Sequence, residues 1–446
     1  MAQVSIMHIP FLLLLPVLPD LTTLFIGAAC AFVFSYLLTF AVRAVCFKMG
    51  WLDQPAERRI HKKAVPRLGG VAMFLAFVLV SLLFYTPGYG PNDKFQLLFG
   101  LHIPDELVDY WLLIAAATLI VAVHAYDDVK GLNPWLKLLA QTLAVIIILA
   151  PGRMMFHGML LYTFNNPFYR TGLPFSRDAQ FHLFIQSTAM SWMAIPAVLF
   201  TWFWIVGMMN TVNLIDGLDG LATGVVMITG LFITIISWQL RQDSIAVLSA
   251  IFTGAVFGFL PHNWNPASIF MGDSGSQFLG LTLAVLSIVG GAKVALALMV
   301  IGLPILDVAI VMINRVRRGQ HPLHYDKTHL HYRLLATGLS VKQICYVFYA
   351  LTLIFGVLAL NLHLIYKLAG IALVVLTMIG LIAWIDYRQR QQGKPIKIGG
   401  PDPGSGGQPP SLQREADAKK AADEETSHTQ APYEVETSHP LPDLPH

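Results

Sequence analysis

The chain has 446 residues, of which 55% are hydrophobic and only 12% charged, with a formal net charge of +3. A charged share about half the ~25% usual for soluble domains excludes an ordinary water-soluble globule, and so small a net charge suggests no nucleic-acid partner. Cys30, Cys46 and Cys345 lie in or at the ends of apolar runs. An odd, scattered set gives neither a disulfide framework nor a metal spacing, so all three read as packing residues.

Residues 1–20 include an apolar stretch, Phe11 to Val17, but Pro10, Pro16 and Pro19 interrupt the region and no Lys or Arg precedes it. That is not a signal-peptide pattern, and it is shorter than the ~20 residues a span needs, so an interfacial segment is expected. Apolar runs then recur at 21–45, 69–86, 110–126, 136–150, 192–209, 220–239, 245–261, 277–291, 294–314, 344–361 and 364–385. In lipid these must be helices, because each segment has to satisfy its own backbone polar groups. The fold class predicted is all-α: a polytopic membrane domain over 21–386 with about eleven transmembrane helices. After Tyr387 the composition turns to Gly, Pro, Ser, Glu and Lys, and 387–446 is expected to be a disordered tail. The loop 151–191, rich in Gly, Pro, Asn and aromatics, carries no motif but has room for short interfacial elements.

Lys48, Arg58, Arg59, Lys62, Lys63 and Arg67 follow the first run, and Arg315, Arg317, Arg318, Lys327, Arg333 and Lys342 follow the ninth. Both sets fall on one side of the membrane, and the opposite loops are poorer in Lys and Arg. The positive-inside rule makes the rich side cytoplasmic, with the N-terminus outside and the C-terminus inside.

The polar residues gather in five places, all at ends or loops on that side. Asp127-Asp128 closes the third run, where the helix dipole disfavours two adjacent carboxylates, so the pair asks for a divalent cation or a proton. Asn213, Asp216, Asp219 and Gly220 lie in Asn213-Leu-Ile-Asp216-Gly-Leu-Asp219-Gly220, with Asn213, Asp216 and Gly220 spaced for one helical face. Asn263 leads to Phe270-Met-Gly-Asp273-Ser-Gly275, where small residues could open a helix whose N–H groups face a phosphate, or where Asp273 or Ser274 caps that helix. Arg315, Arg317 and Arg318 precede His321, His324, Lys327, His329 and His331, a cluster suited to an anion. The last is His61-Lys-Lys-Ala-Val-Pro-Arg67-Leu-Gly69-Gly70. Each alone has a plain structural reading as a cap, a turn or a topology signal. Together they supply carboxylates for Mg²⁺, cations for phosphates and amides for a base or sugar, which implies a nucleotide-diphosphate compound meeting a lipid acceptor.

Four of these strings, in this order, resemble the polyprenyl-phosphate N-acetylhexosamine-1-phosphate transferases: the Asp127-Asp128 pair, the Asn213–Gly220 string, Phe270–Gly275 and Asp326-Lys-Thr-His329-Leu-His331. The resemblance runs over most of 40–340. It implies a membrane enzyme with cytoplasmic active-site loops, transferring GlcNAc-1-phosphate from UDP-GlcNAc to undecaprenyl phosphate in the bacterial cytoplasmic membrane. The product would start an envelope glycan such as O-antigen or teichoic acid. The last string is similar to that branch, whereas the muramoyl-pentapeptide transferases carry three consecutive histidines there; Tyr332 stands where the branch often has another histidine. By the same resemblance, Asp127, Asp128, Asp273, His329 and His331 are catalytic, and Asp273 and Asp128 hold Mg²⁺, with Mn²⁺ as a substitute. Asn213, Asp216, Asp219, Asn263, Phe270, Arg315 and Lys137 bind substrate. A homodimer would be usual for the family. A secondary transporter would place its charges near the midplane between repeated halves; here the runs look nearly charge-free and the motifs do not repeat.

Overall fold

In lipid a helix gains little by hiding apolar side chains from its neighbours, so small residues decide which helices approach. The computed structural model describes residues 21–54, 64–85, 95–98, 101–151, 158–161, 163–165, 180–182, 194–289, 293–317, 319, 328–362 and 364–392. The expected interfacial segment 1–20, most of the loop 151–191, the residues from Arg318 to Lys327 other than Gly319, and the tail beyond Gln392 lie outside them. The described part of that loop contains an antiparallel pair, β5 (Thr163–Asn165) with β6 (Gln180–His182). Two other short pairs join β1 (Leu52–Asp53) to β2 (Val65–Pro66) and β3 (Phe95–Leu98) to β4 (Leu101–Pro104).

The rest is helical. The order is α1 (Leu21–Met49), α2 (Gly69–Phe84), α3 (Asp105–Lys130), α4 (Pro134–Leu149), α5 (Ile195–Ile215), α6 (Leu221–Gln239) and α7 (Asp243–Asn263). There follow α8 (Gly272–Ile288), α9 (Val294–Val300), α10 (Gly302–Arg317), α11 (Leu330–Ala336), α12 (Val341–Asn361) and α13 (Leu364–Gln391). Among the described residues each apolar run read from the sequence is mainly helical, so this is an all-α polytopic membrane protein. Among the described residues, 7 helices are long and apolar enough to cross a membrane, or 8 with one bent pair counted as a single span. The predicted count of about eleven is not reached on that measure, because α2 and α4 have only 16 residues each and α8 only 17. The last helix runs to Gln391, a few residues past the expected start of the tail.

The bent pair replaces the straight ninth helix expected over 294–314. Helices α9 and α10 meet at 76° around Ile301. Pro304 explains the break: it lacks an N–H, and its ring would clash with the carbonyl four residues back, at Val300.

The helix α8 lies at the centre, buried at every residue from Ser274 to Ile288, with α2, α3 and α5 packed against it. Glycines set these approaches. A Cβ on Gly70 would overlap the Gly275 backbone, and one on Gly280 would overlap Met209. On the far side, Gly254 and Gly258 of α7, four residues apart, lie against the backbone of Ala28 and Phe32 of α1. The outer helices α1 and α13 instead carry exposed Phe25, Leu37, Leu376 and Ile379, as lipid-facing surfaces should.

Candidate active site

The C-terminal ends of α3 and α5 and the N-terminal ends of α4 and α8 converge, and the charged residues of the first three motifs meet there. Asn133 caps α4 by accepting the N–H of Trp135 (2.9 Å), with Pro134 at the first helical position. This start puts Lys137 in the first turn, where its ammonium bridges two carboxylates: Asp127 Oδ2 at 2.5 Å and Asp273 Oδ2 at 2.8 Å. Asn213, at the end of α5, donates to the other oxygen of Asp273 at 3.1 Å and to Ser276 Oγ at 2.9 Å. The second oxygen of Asp127 accepts the N–H of Leu132 at 2.6 Å.

Asp128 faces differently from its neighbour. One oxygen accepts the N–H of Asp273 (2.8 Å), and the other accepts the N–H (3.1 Å) and the hydroxyl (2.8 Å) of Ser274. No side chain of α8 caps its own start at Met271. Asp128 therefore does so from another helix, with its charge at the favourable end of the dipole. This corrects two sequence expectations: neither Asp273 nor Ser274 is the cap, and these two N–H groups are taken by a carboxylate rather than left for a phosphate. Gly272, at φ +72°, sits where a Cβ would strike Asp128 and the Arg67 carbonyl, so the approach requires glycine.

The fifth motif joins through its backbone. Phe270 N–H donates to the Pro66 carbonyl, Gly69 N–H to that of Phe270, and Gly70 N–H to that of Met271. Arg67 is thereby set over the acidic group. Burial works against its charge, but Asp128, Asp53, Asp273 and Asp127 outweigh that and raise its pKa. Asp216 shows the opposite imbalance. Burial first, then Asp273, Asp128 and Asp219, push its carboxyl well above the ordinary value, while Arg67 pulls the other way.

Asp219 and Asn263 are struts of this region. Asp219 Oδ2 accepts from Asn265 (2.9 Å) and from the Ala267 N–H (3.0 Å). Asn263, 2% exposed, accepts from Gly220 N–H and Thr223 Oγ1 and donates to the Ile269 carbonyl. It fastens the start of α6 to the end of α7 and presents little to a ligand.

The histidines approach from the other side. His331, 1% exposed, lies against Gly217, where a Cβ would sit 2.5 Å from its Nε2, so the fourth motif touches the second. His329 and His331 stack nearly parallel with centroids 5.9 Å apart. Burial lowers the His331 pKa to about 3, so its ring is neutral. Arg315 is buried in the last turn of α10.

Sequence reading missed Asp307, a buried carboxylate inside the bent span, which accepts from His329 Nδ1 at 2.9 Å and from the Leu330 N–H at 2.9 Å. An Asp within the run 294–314 was a signal, and it departs from the reading of the runs as nearly charge-free. Also missed was a buried layer one turn below the charges. Gln141 donates to Gln277 at 3.0 Å, and Asn210 donates to Gln141 at 3.1 Å.

Asp127 and Asp273 are the two carboxylates that could serve a divalent cation here. Asp127 and Asp273 share the Lys137 ammonium, and Asp216 beside them is raised first by burial and then by Asp273, with Arg67 opposing. Among the described residues no group of three His, Cys, Asp or Glu side chains converges as a closed cage. One or two carboxylates completed by water and substrate phosphates is the ligation Mg²⁺ favours.

Comparison with known proteins agrees with this chemistry. The model of glycosyl transferase family 4 matches residues 110–291. Over 342 residues the chain is 31% identical to a probable undecaprenyl-phosphate N-acetylglucosaminyl 1-phosphate transferase of Bacillus subtilis, covering 74% of this chain and 84% of that protein. It is 30% identical over 349 residues to a decaprenyl-phosphate N-acetylglucosaminephosphotransferase of Mycobacterium tuberculosis, covering 72% and 77%. It is 28% identical over 347 residues to a phospho-N-acetylmuramoyl-pentapeptide-transferase of Staphylococcus aureus, covering 76% and 98%. The chain belongs to glycosyl transferase family 4 and is a membrane enzyme of its polyprenyl-phosphate N-acetylhexosamine-1-phosphate transferase type.

Proposed function

We propose that this enzyme transfers GlcNAc-1-phosphate from UDP-GlcNAc to undecaprenyl phosphate, releasing UMP, at the cytoplasmic face of a bacterial inner membrane. The observation that carries the proposal is the bridge Asp127–Lys137–Asp273, steadied by Asn213 and set beside the crowded Asp216. Such a site neutralises and orients phosphates at the end of a helical bundle, where a lipid-borne acceptor can reach it. The Lys- and Arg-rich loops after α1 and α10 support a cytoplasmic site end, with the N-terminus outside. The GlcNAc branch is supported by the relatives in B. subtilis and M. tuberculosis and by the spacing His329-Leu330-His331 in place of three consecutive histidines.

The acceptor phosphate, a monoester with its second pKa near about 6, is already anionic at neutral pH, so no protein nucleophile is needed. Its oxygen attacks the β-phosphorus in line and UMP leaves. Both oxygens of Asp127 are engaged, by Leu132 N–H and by Lys137, which favours direct attack over an aspartyl-phosphate intermediate. Lys137 and Arg67 offset the repulsion between two polyanions, and Asn213 holds the rotamer of Asp273. Mg²⁺, when bound at Asp273 with Asp127 and the substrate phosphates, would supply charge neutralisation at the transferred group. Asp128 remains in the proposed metal set only as the residue that fixes the backbone of Asp273. Asp216, Phe270, Arg315, His329 and His331 are proposed to line the nucleotide and sugar side, with Asp219 as a brace beside them.

The S. aureus relative keeps the muramoyl-pentapeptide reaction as the second reading, because the chain matches 98% of its length. The test is UMP release by the purified protein in detergent with undecaprenyl phosphate and Mg²⁺, offered UDP-GlcNAc or UDP-MurNAc-pentapeptide. Turnover of UDP-GlcNAc alone, abolished by EDTA and restored by Mg²⁺, is the expected result. Turnover of the muropeptide alone would replace the proposal with the second reading.

A further inference from the structure

The bent span brings Asp307 of α10 to the start of α11, where it does two things at once. One oxygen accepts the Leu330 N–H, capping α11 where His329 makes no side-chain cap of its own. The other lies 2.9 Å from His329 Nδ1. Asp307 is 5% and His329 3% exposed, so the pair is closed off from solvent. A cap alone does not call for an ionisable group; Ser, Thr or Asn would serve. What the carboxylate adds is a choice of tautomer, since it accepts and does not donate and so draws the imidazole proton to Nδ1.

A second observation points to a ligand. Among the described residues, His329 Nε2 and His331 Nε2 are both buried with no hydrogen-bond partner. Unpaired buried polar atoms are rare in folded proteins, and here two occur in neighbouring stacked rings, of which His331 lies against Gly217.

We propose that Asp307 is a positioning residue for the transfer, holding His329 with its Nδ1 proton on the carboxylate and its Nε2 lone pair turned to the sugar of the nucleotide donor. In that tautomer neutral Nε2 can only accept, so its partner is a hydroxyl or the acetamido N–H of the sugar rather than a phosphate oxygen. The inference rests on the proposed reading in which this histidine pair meets the donor. Asp307→Asn tests it with little change of shape. The amide oxygen can still cap Leu330, but the amide NH₂ then faces Nδ1, and the ring proton must move to Nε2, turning an acceptor into a donor.

The experiment uses the full-length protein in detergent and whichever UDP-N-acetylhexosamine the wild type turns over. Asp307→Asn, Asp307→Glu, His329→Gln and the double variant Asp307→Asn/His329→Gln are compared, with ¹⁵N-histidine NMR of the wild type and Asp307→Asn. Expected are a rise of about ten-fold in donor KM for Asp307→Asn with the lipid KM unchanged, partial rescue by Glu, and a double variant no worse than His329→Gln alone. The ¹⁵N spectrum should exchange the protonated and bare nitrogens of His329 between wild type and Asp307→Asn. Equal rises in both KM values, losses that multiply in the double variant, or an unchanged tautomer would overturn the proposal. Should the wild type turn over no UDP-N-acetylhexosamine, the functional reading fails by itself, and the ¹⁵N spectrum still decides the Asp307–His329 pairing.

Discussion

Two polar layers lie one helical turn apart on the same three helices. The upper layer is Lys137, Asn213 and Asp273; the lower is Gln141, Asn210 and Gln277, each three or four residues further into α4, α5 and α8. The upper layer is charged and partly open, with the side chains of Lys137 and Asp273 28% and 24% exposed. The lower is neutral and closed, with Gln141 3% and Gln277 2% exposed. The difference shows where a membrane protein can keep charge. At the end of the bundle, water, a counter-ion or a substrate phosphate can complete an ionic site. One turn deeper only neutral groups that satisfy one another are tolerated, and there they lock the rotamers above.

Four changes would break or sharpen that contrast. Asp273→Asn removes charge from the upper layer while keeping shape. It should lower kcat by about a thousand-fold, as loss of a principal electrostatic group does, with the unfolding midpoint nearly unchanged. A variant that keeps wild-type turnover would remove Asp273 from the chemistry. Asp128→Asn turns an NH₂ toward the N–H groups of Asp273 and Ser274, whose bonds to the carboxylate number among the charge-assisted ones. Activity should fall by about ten- to a hundred-fold and stability by about 1–3 kcal/mol, read from rates and thermal unfolding in the same detergent. Loss of rate without loss of stability would make Asp128 a chemical participant rather than a cap.

Gln277→Leu strikes the lower layer. It leaves Gln141 short of a partner and should cost about 1–3 kcal/mol of stability with only a few-fold change in kcat. A kinetic loss as large as that of Asp273→Asn would erase the distinction between the layers. The last change, at His331, leaves turnover at neutral pH aside and acts on the pH dependence of stability. Its folded pKa of about 3 lies below the ordinary 6.5, so between those values the unfolded chain binds the extra proton and stability falls as pH is lowered. At pH 5 the loss should be about 2 kcal/mol relative to pH 7, and His331→Gln should flatten that slope in unfolding midpoints measured across pH.

The motifs were legible because phosphate chemistry selects residue types that stand out in an apolar chain. Asp127, Asp128, Asn213 and Asp273 do meet, as their shared side of the membrane suggested. Their division of labour was not legible. Asp127 and Asp128 are adjacent and chemically identical, yet one faces an ammonium and the other caps a helix, because successive residues on α3 point about 100° apart. Asn263 looked like a ligand contact and is a strut, since nothing local reveals that Gly220, Thr223 and Ile269 converge on it. Asp307 was overlooked because its partner lies 22 residues away in the chain.

By itself the sequence determined that the chain is a bundle of helices in lipid, which family's chemistry it carries and which side chains are available for it. Backbone hydrogen bonds in a membrane leave the helix as the answer for each long apolar run, and that constraint is local. Tertiary structure alone decided the neighbours of α8, the cap that Asp128 lends to another helix and the clamp of Asp307 on His329. Helices that are apolar on every face give no periodic signal of which face meets which partner. Glycine contacts and a few buried polar bonds make that choice only once the helices have come together.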